Sequence, residues 1–331
     1  MKWQMKYMCM QQKKYNSFIT IMIKMVGNSC NMNCTYCYEH ISTKKNVNIT
    51  SVTEVIEYLK QYKDYKHVFF VFHGGEPLLA DINLIKKCLN YITKNFYNEY
   101  NIQFQTNGTL LNNEWIQLFK KYEPQLSLSI SLDPIGIKDL RKSYNMDYRK
   151  IVERNISLYA NELSNVGIIS VVHRYNIHFF IPFIEWLINH KIKNLTINKY
   201  RTNNFNDNAY ITEMEYTKFL KKLCIIWIKK ELYKTINIQP LNSLLSNSKN
   251  KLCIYLPDEK KCTYFKTFFN GKNISDYCDH IIDKNEPILS NKCKTCEIYS
   301  LCGGGCLIEK KDNTFCEARK ELFKFISEVK K

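Results

Sequence analysis

No stretch of this chain is apolar for long enough to cross a bilayer. The best candidate, residues 18–26, is too short and is interrupted by Lys24, so it reads as a buried strand. Residues 1–14 are basic, but no small-residue cleavage site follows them, and a secretory signal is not expected. Arginine is scarce as well. Only six of the 48 basic residues are arginine, the residue best suited to bidentate contacts with phosphates and base edges. The lysines are scattered, with no basic arm or stripe. The net charge of +17 therefore reads as a solvated lysine surface, and neither nucleic acid nor a membrane is an expected partner. No internal repeat is evident, and with 45% hydrophobic residues nothing in the composition suggests disorder. Cysteine, by contrast, is plentiful. Fourteen cysteines without an export signal point to the reducing cytoplasm, and to metal rather than disulfides.

Three of them form a C-x3-C-x2-C run, Cys30, Cys34 and Cys37. One loop can bring three thiols this close in sequence to the same side. Three ligands on a [4Fe–4S] cluster leave its fourth iron open to a small molecule. His40 offers an alternative, a Cys3His zinc site. The second motif is His73-Gly-Gly-Glu-Pro77, directly after the apolar run at 68–72. Gly74 and Gly75 allow close backbone approach to a ligand. Pro77 restricts Glu76 to an extended conformation, from which its carboxylate is expected to point out of the strand end.

Together the two motifs resemble the radical S-adenosylmethionine (SAM) superfamily. The resemblance implies a SAM-binding [4Fe–4S] cluster on Cys30, Cys34 and Cys37, with the SAM amino group at the Gly74-Gly75-Glu76 turn. It also places Tyr36, just before the third cysteine, beside the adenine. Further candidates for SAM contacts are Asn107 in Gln105-Thr-Asn-Gly-Thr109, then Ser129 with Ser131 and Asp133 on the next strand, and Arg141 for the SAM carboxylate. A local turn or a surface charge is the alternative at each.

Hydrophobic patterning supports an α/β fold. Strands are expected at 17–26, 68–72, 102–106, 126–133, 166–173 and 195–200. Between them helices are expected at 51–63, 82–98, 112–121, 149–161 and 178–190. Six alternations predict a parallel sheet curved into a partial (β/α)6 barrel over 17–201, after an N-terminal extension at 1–16. A long helix opens at Thr212-Glu-Met-Glu215, a capping box, and a polar linker completes a bridging region at 202–250.

The segment 251–331 carries eight cysteines: Cys253, Cys262, Cys278, Cys293, Cys296, Cys302, Cys306 and Cys316. It reads as a separate, metal-nucleated appendage with little apolar core. Zinc-ribbon pairs are the alternative. The spacing from Cys293 to Cys316 resembles the SPASM auxiliary-cluster domain, which implies two further [4Fe–4S] clusters. The resemblance assigns Cys253, Cys262, Cys278 and Cys306 to one, and Cys293, Cys296, Cys302 and Cys316 to the other. The Gly271–Cys278 spacing is longer than usual and the Cys306–Cys316 spacing shorter. The remaining cysteines, Cys9, Cys88 and Cys224, fit no set, and the last two read as buried small hydrophobes.

The layout is similar to the anaerobic sulfatase-maturating enzymes. There an aspartate at the position of Asp279, directly after Cys278, is thought to be the base that deprotonates the substrate radical. The family implies an oxidoreductase that makes a 5′-deoxyadenosyl radical, fed by a reductant such as flavodoxin or ferredoxin, and oxidises a side chain in a peptide or protein. The short N-terminus leaves no room for a winged-helix leader-recognition domain and leans toward the sulfatase-type layout over a ribosomal-peptide maturase. A radical SAM enzyme acting on RNA or a small molecule, and a non-enzymatic zinc or iron–sulfur module, are the alternatives. Three clusters amount to about twelve irons per chain. Iron analysis of anaerobically reconstituted protein is expected to give that figure, whereas zinc in place of iron would support the module.

Overall fold

The computed structural model describes residues 18–37, 39, 51–144, 146–202, 204–246, 253–255, 261–268, 274–275, 290–306 and 309–330. His40, Gly271, Cys278, Asp279 and Cys9 lie outside these residues, as does the side chain of Cys253.

Among the described residues, six strands alternate with six helices. The strands are β1 (Phe18–Ile23), β2 (His67–Phe72), β3 (Glu99–Thr106), β4 (Leu126–Ser131), β5 (Val166–Val172) and β6 (Asn194–Lys199). The helices that follow each in turn are α1 (Val52–Leu59), α2 (Ile82–Asn95), α3 (Asn113–Lys120), α4 (Tyr148–Tyr159), α5 (Phe180–Asn189) and α6 (Glu213–Lys229). Helix α1 starts at a full capping box, Ser51 with Glu54, and α6 at another, Thr212 with Glu215. Asp81, Asn112 and Asp147 cap α2, α3 and α4 through their side chains. Every strand pair from β1 to β6 is parallel, so each crossover places a helix on the sheet. With three later strands, β7 (Asn237–Gln239), β8 (Phe265–Phe268) and β9 (Ile274–Ser275), the sheet is open in the order β7-β6-β5-β4-β3-β2-β1-β8-β9. Strands covered in this way bury residues on both faces; in β2, Phe70, Val71 and Phe72 are all buried, and the Phe72 and Phe104 rings stack at 4.5 Å.

Two features differ from the sequence expectation. The bridging region contributes a seventh parallel strand, β7 (Asn237–Gln239), and a short helix, α7 (Leu241–Leu245). Ile238 and Leu241 are fully buried. A three-residue strand is too short to display a periodicity, and the Ser/Asn content after Leu241 disguised the helix. The second difference concerns the tail, which is not a separate appendage. Strand β8 (Phe265–Phe268) pairs in parallel with β1, from Thr20 opposite Phe265 to Ile23 opposite Phe268, and β9 (Ile274–Ser275) adds to it antiparallel. Two helical turns, α8 (Asn291–Lys294) and α9 (Tyr299–Cys302), lead to α10 (Phe315–Val329). Helix α10 lies against α6. Its Phe315, Ala318, Leu322, Phe323 and Ile326 recur at helical spacing and are buried, most of them in the same core as the sheet.

Cys88 on α2 and Cys224 on α6 are fully buried in that core. Burial pushes the Cys88 thiol up to about 12 and the Cys224 thiol to about 11, so both behave as small hydrophobes. No helix among the described residues is long and apolar enough to cross a membrane.

Because α10 shares the core, Leu322→Ala is expected to cost the whole protein about 2–5 kcal/mol. Urea unfolding should show one cooperative transition at a lower midpoint. An unchanged main transition beside a separate early one would restore the independent appendage.

Candidate functional site

The functional side chains gather where the parallel strands end, the edge at which open α/β sheets bind ligands. The loop after β1 carries Cys30, Cys34 and Cys37 and is gripped from two sides. On one side, the Gly75 N–H donates to the Gly27 carbonyl and the Glu76 N–H to the Ser29 carbonyl, both at 2.8 Å. On the other, Asn33 N–H donates to the Lys142 carbonyl (2.7 Å) and Thr35 N–H to the Leu140 carbonyl (2.9 Å). Met32 bridges antiparallel to Ser143 and is itself buried. Below, the buried Lys24 ammonium pairs with Glu39 at 2.8 Å, and His73 Nδ1 stands 3.8 Å from the same carboxylate.

The glycines serve this grip. Gly74 has φ +118°, and a Cβ there would sit 2.5 Å from the Gly27 carbonyl oxygen. At Gly75 a Cβ would fall 1.9 Å from the Ser29 carbonyl oxygen. The close approach they permit is to the cysteine loop, where the sequence suggested a ligand. Glu76 is extended, as the following proline requires (φ −131°, ψ 109°). Its carboxylate, however, turns inward and is fully buried. Oε1 accepts from Thr106 Oγ1 (2.6 Å) and Leu78 N–H (3.0 Å), and Oε2 from Asn107 N–H (2.7 Å). Two donors at the end of β3 and in the following turn, together with the local Leu78 N–H, hold it there. Burial raises its pKa even against those donors.

Asn107 joins that carboxylate to the cysteines. Its side-chain N–H2 donates to Asn31 Oδ1 (2.8 Å) and lies 3.7 Å from Cys30 Sγ, which the Met32 N–H also approaches at 3.4 Å. Burial pushes the Cys30 thiol up to about 11. N–H groups aimed at a sulfur suit a thiolate ligand, and a coordinated thiol is deprotonated by its metal. Among the described residues, no three His, Cys, Asp or Glu side chains meet closely enough to hold a single metal ion. A cubane takes each sulfur on a different iron and so asks for wider spacing. The donor set and the N–H groups at Cys30 fit a cluster.

Across the loop, Tyr36 donates its hydroxyl to Asp133 Oδ2 (2.6 Å) and accepts from Arg141 Nη1 (3.0 Å). Asp133 is held in turn by Ser170 Oγ (3.2 Å) and Val171 N–H (2.8 Å). Arg141 is buried, so it is no surface charge. Burial opposes its charge, but Tyr36, Cys34 and Asp133 outweigh burial and keep it protonated. Its Nε has no hydrogen-bond partner among the described residues. A buried guanidinium with a spare N–H beside the cysteine loop is a ready partner for a carboxylate. Ser129 is held along the sheet, its Oγ accepting from Gln103 Nε2 (2.8 Å).

Lys24, Glu39, His173 and Tyr200 escaped the sequence reading. The His173 and Tyr200 rings each stand 6.4 Å from the Tyr36 ring, and burial lowers the His173 pKa. They sit on or after β5 and β6, far from Tyr36 in sequence, and only their strand-end position hinted at them. Lys24 offered the one legible signal, a charge inside an apolar strand. In the tail, Cys302 is buried and Cys262, Cys293, Cys296 and Cys306 are partly buried, whereas Cys316 is exposed.

Residues 25–187 match the family model described as the Radical SAM superfamily. The chain is 26% identical to a cysteine-type anaerobic sulfatase-maturating enzyme of Clostridium novyi, over 92% of this chain and 94% of that one. A Clostridium perfringens enzyme of the same name is 24% identical, over 93% and 96%. Among solved structures, the fold is similar to native anSMEcpe with bound AdoMet and Cp18Cys peptide (TM-score 0.71, 21% identity, covering 94% and 98%). It is also similar to Streptococcus suis SuiB bound to S-adenosylmethionine (TM-score 0.65, 14% identity, covering 92% and 77%).

Gly75→Ala is expected to push the two clasped segments apart. Reconstituted protein should then lose about four irons per chain, one cluster's worth, while keeping the rest. Full iron content in that variant would show that the clasp does not shape the cysteine loop.

Proposed function

Residues 25–187 are a radical SAM domain, and from that premise we propose that the chain is an oxidoreductase that modifies a residue side chain in a peptide or protein. The observation that carries this reading is the cysteine loop clasped between the Gly75–Glu76 turn and residues 140–143, with the unpaired Arg141 Nε beside it. Cys30, Cys34 and Cys37 would hold the SAM-binding cluster, and the eight tail cysteines two more. When bound, the first cluster supplies the electron that cleaves SAM into methionine and a 5′-deoxyadenosyl radical. Arg141 would take the SAM carboxylate and Tyr36 would flank the adenine. Glu76 would act by fixing Asn107 and the cysteine loop through its buried hydrogen bonds, and Ser129 by shaping the strand end.

Among peptide and protein substrates, oxidation of a sulfatase cysteine to formylglycine is the form we favour. The likeness to cysteine-type sulfatase-maturating enzymes over more than nine-tenths of the chain supports it. Asp279, outside the described residues, would accept the thiol proton of the substrate radical left by hydrogen-atom abstraction at the cysteine Cβ, and water would hydrolyse the resulting thioaldehyde to formylglycine with release of hydrogen sulfide. The tail cysteines would hold a cluster whose chemistry, when bound, is to take up the accompanying electron. The protein would work in the cytoplasm, with a flavodoxin- or ferredoxin-type reductant.

Anaerobic incubation with SAM, reductant and a sulfatase peptide bearing cysteine, read by mass spectrometry, tests the reading. The expected product is the aldehyde. A two-hydrogen loss in a different, ribosomally made peptide, with the sulfatase peptide untouched, would move the substrate to a cross-linked class. Asp279→Asn should keep iron content and 5′-deoxyadenosine formation while product falls by about 100-fold or more, the range for losing a general base. Unchanged turnover would remove Asp279 from the mechanism.

A further inference from the structure

Away from the cysteine loop, the densest buried charge lies where β6 and α6 meet the tail. Lys199 pairs with Glu213 (2.5 Å) and approaches Asp312 (3.7 Å), while Arg201 and Arg319 both reach Glu309 at 2.9 Å. Tyr210 donates its hydroxyl to Asp312. Burial opposes the Glu309 charge, but Arg201 and Arg319 hold that carboxylate below its usual range.

Arg319 is the member enclosed by the cysteine-bearing segments. Its guanidinium stands 4.6 Å from the centroid of the Tyr255 ring, two residues from Cys253, and 5.0 Å from that of Phe315, the neighbour of Cys316. Phe315 closes on the backbone beside Cys306, since a Cβ at Gly305 would fall 2.1 Å from its ring. Arg319 is buried, and only Nη2 is satisfied, by Glu309. Nε and Nη1 have no hydrogen-bond partner among the described residues. A buried cation with unmet donors is costly to fold, and an anionic cluster nearby would offset that cost.

We propose that Arg319, enclosed by the cysteine-bearing segments, is a counter-charge in the tail, a positioning residue that raises the reduction potential of a cluster held there. This rests on the reading of the tail as cluster-bearing. A positive charge in a low-dielectric site favours the reduced cluster, which carries one more electron. The substrate, losing that electron, is oxidised as the cluster is reduced. Arg319 thus makes the tail a better acceptor without touching the substrate.

The test is a redox titration of the full-length reconstituted protein, followed by electron paramagnetic resonance, with iron measured in parallel. Arg319→Gln is expected to lower the midpoint of one cluster signal and leave the others in place, and Arg319→Lys to restore it. Glu309→Gln, which removes the neutralising carboxylate, is expected to raise the same midpoint and gives the answer if Arg319→Gln loses its iron. Midpoints unchanged in the iron-replete variants would overturn the role of Arg319. Wild-type protein holding only about four irons per chain would instead overturn the cluster-bearing tail, and the proposal with it.

Discussion

Two backbone hydrogen bonds, Gly75 N–H to the Gly27 carbonyl and Glu76 N–H to the Ser29 carbonyl, hold the turn after β2 against the loop after β1. The rest of the site depends on that clasp. It is possible only because neither Gly74 nor Gly75 carries a Cβ. Once it forms, Glu76 is carried inward and organises the end of β3 through Thr106 and Asn107. Asn107 then reaches Asn31 and Cys30. One close approach thereby links three strand ends and sets the surroundings of the first cysteine.

The opposite side of the loop is fixed by main chain as well. Residues 140–143 pair with it through backbone bonds, and the same segment delivers Arg141 to Tyr36 and Asp133. The loop is thus held by main chain on both flanks, with charged and aromatic groups filling the space between. The tail obeys the same economy. It returns to the sheet beside β1 as β8, next to the strand that launches the cysteine loop. Its helix α10 lies against α6, with the Thr217 hydroxyl donating to the Ala318 carbonyl and Lys221 pairing with Glu321. A tail built into the core in this way keeps its described cysteines in a fixed relation to the sheet.

Much of this was legible in the residues. The apolar run at 68–72, the capping boxes at Ser51 and Thr212, and the alternation of strand and helix carry strong local signals, and the six-unit core follows from them. The C-x3-C-x2-C and Gly-Gly-Glu-Pro motifs located the site because their spacing is itself chemical. What could not be read was which way side chains turn. Glu76 looked outward because a proline follows it, but its direction is decided by donors about thirty residues away on another strand. Arg141 gave no sign of burial, because its hydrogen-bond partner Tyr36 belongs to another loop. The tail looked autonomous because its cysteines dominate the composition, while the four-residue strand that ties it to β1 is too short to announce itself.

The central claim is that Cys30, Cys34 and Cys37 present one open iron to SAM. Electron paramagnetic resonance of the reduced, reconstituted protein, recorded with and without SAM, tests it most directly. SAM is expected to perturb one cluster signal and leave the tail signals unchanged, and to lose that effect in Cys34→Ala. A spectrum indifferent to SAM at full iron content would contradict the account.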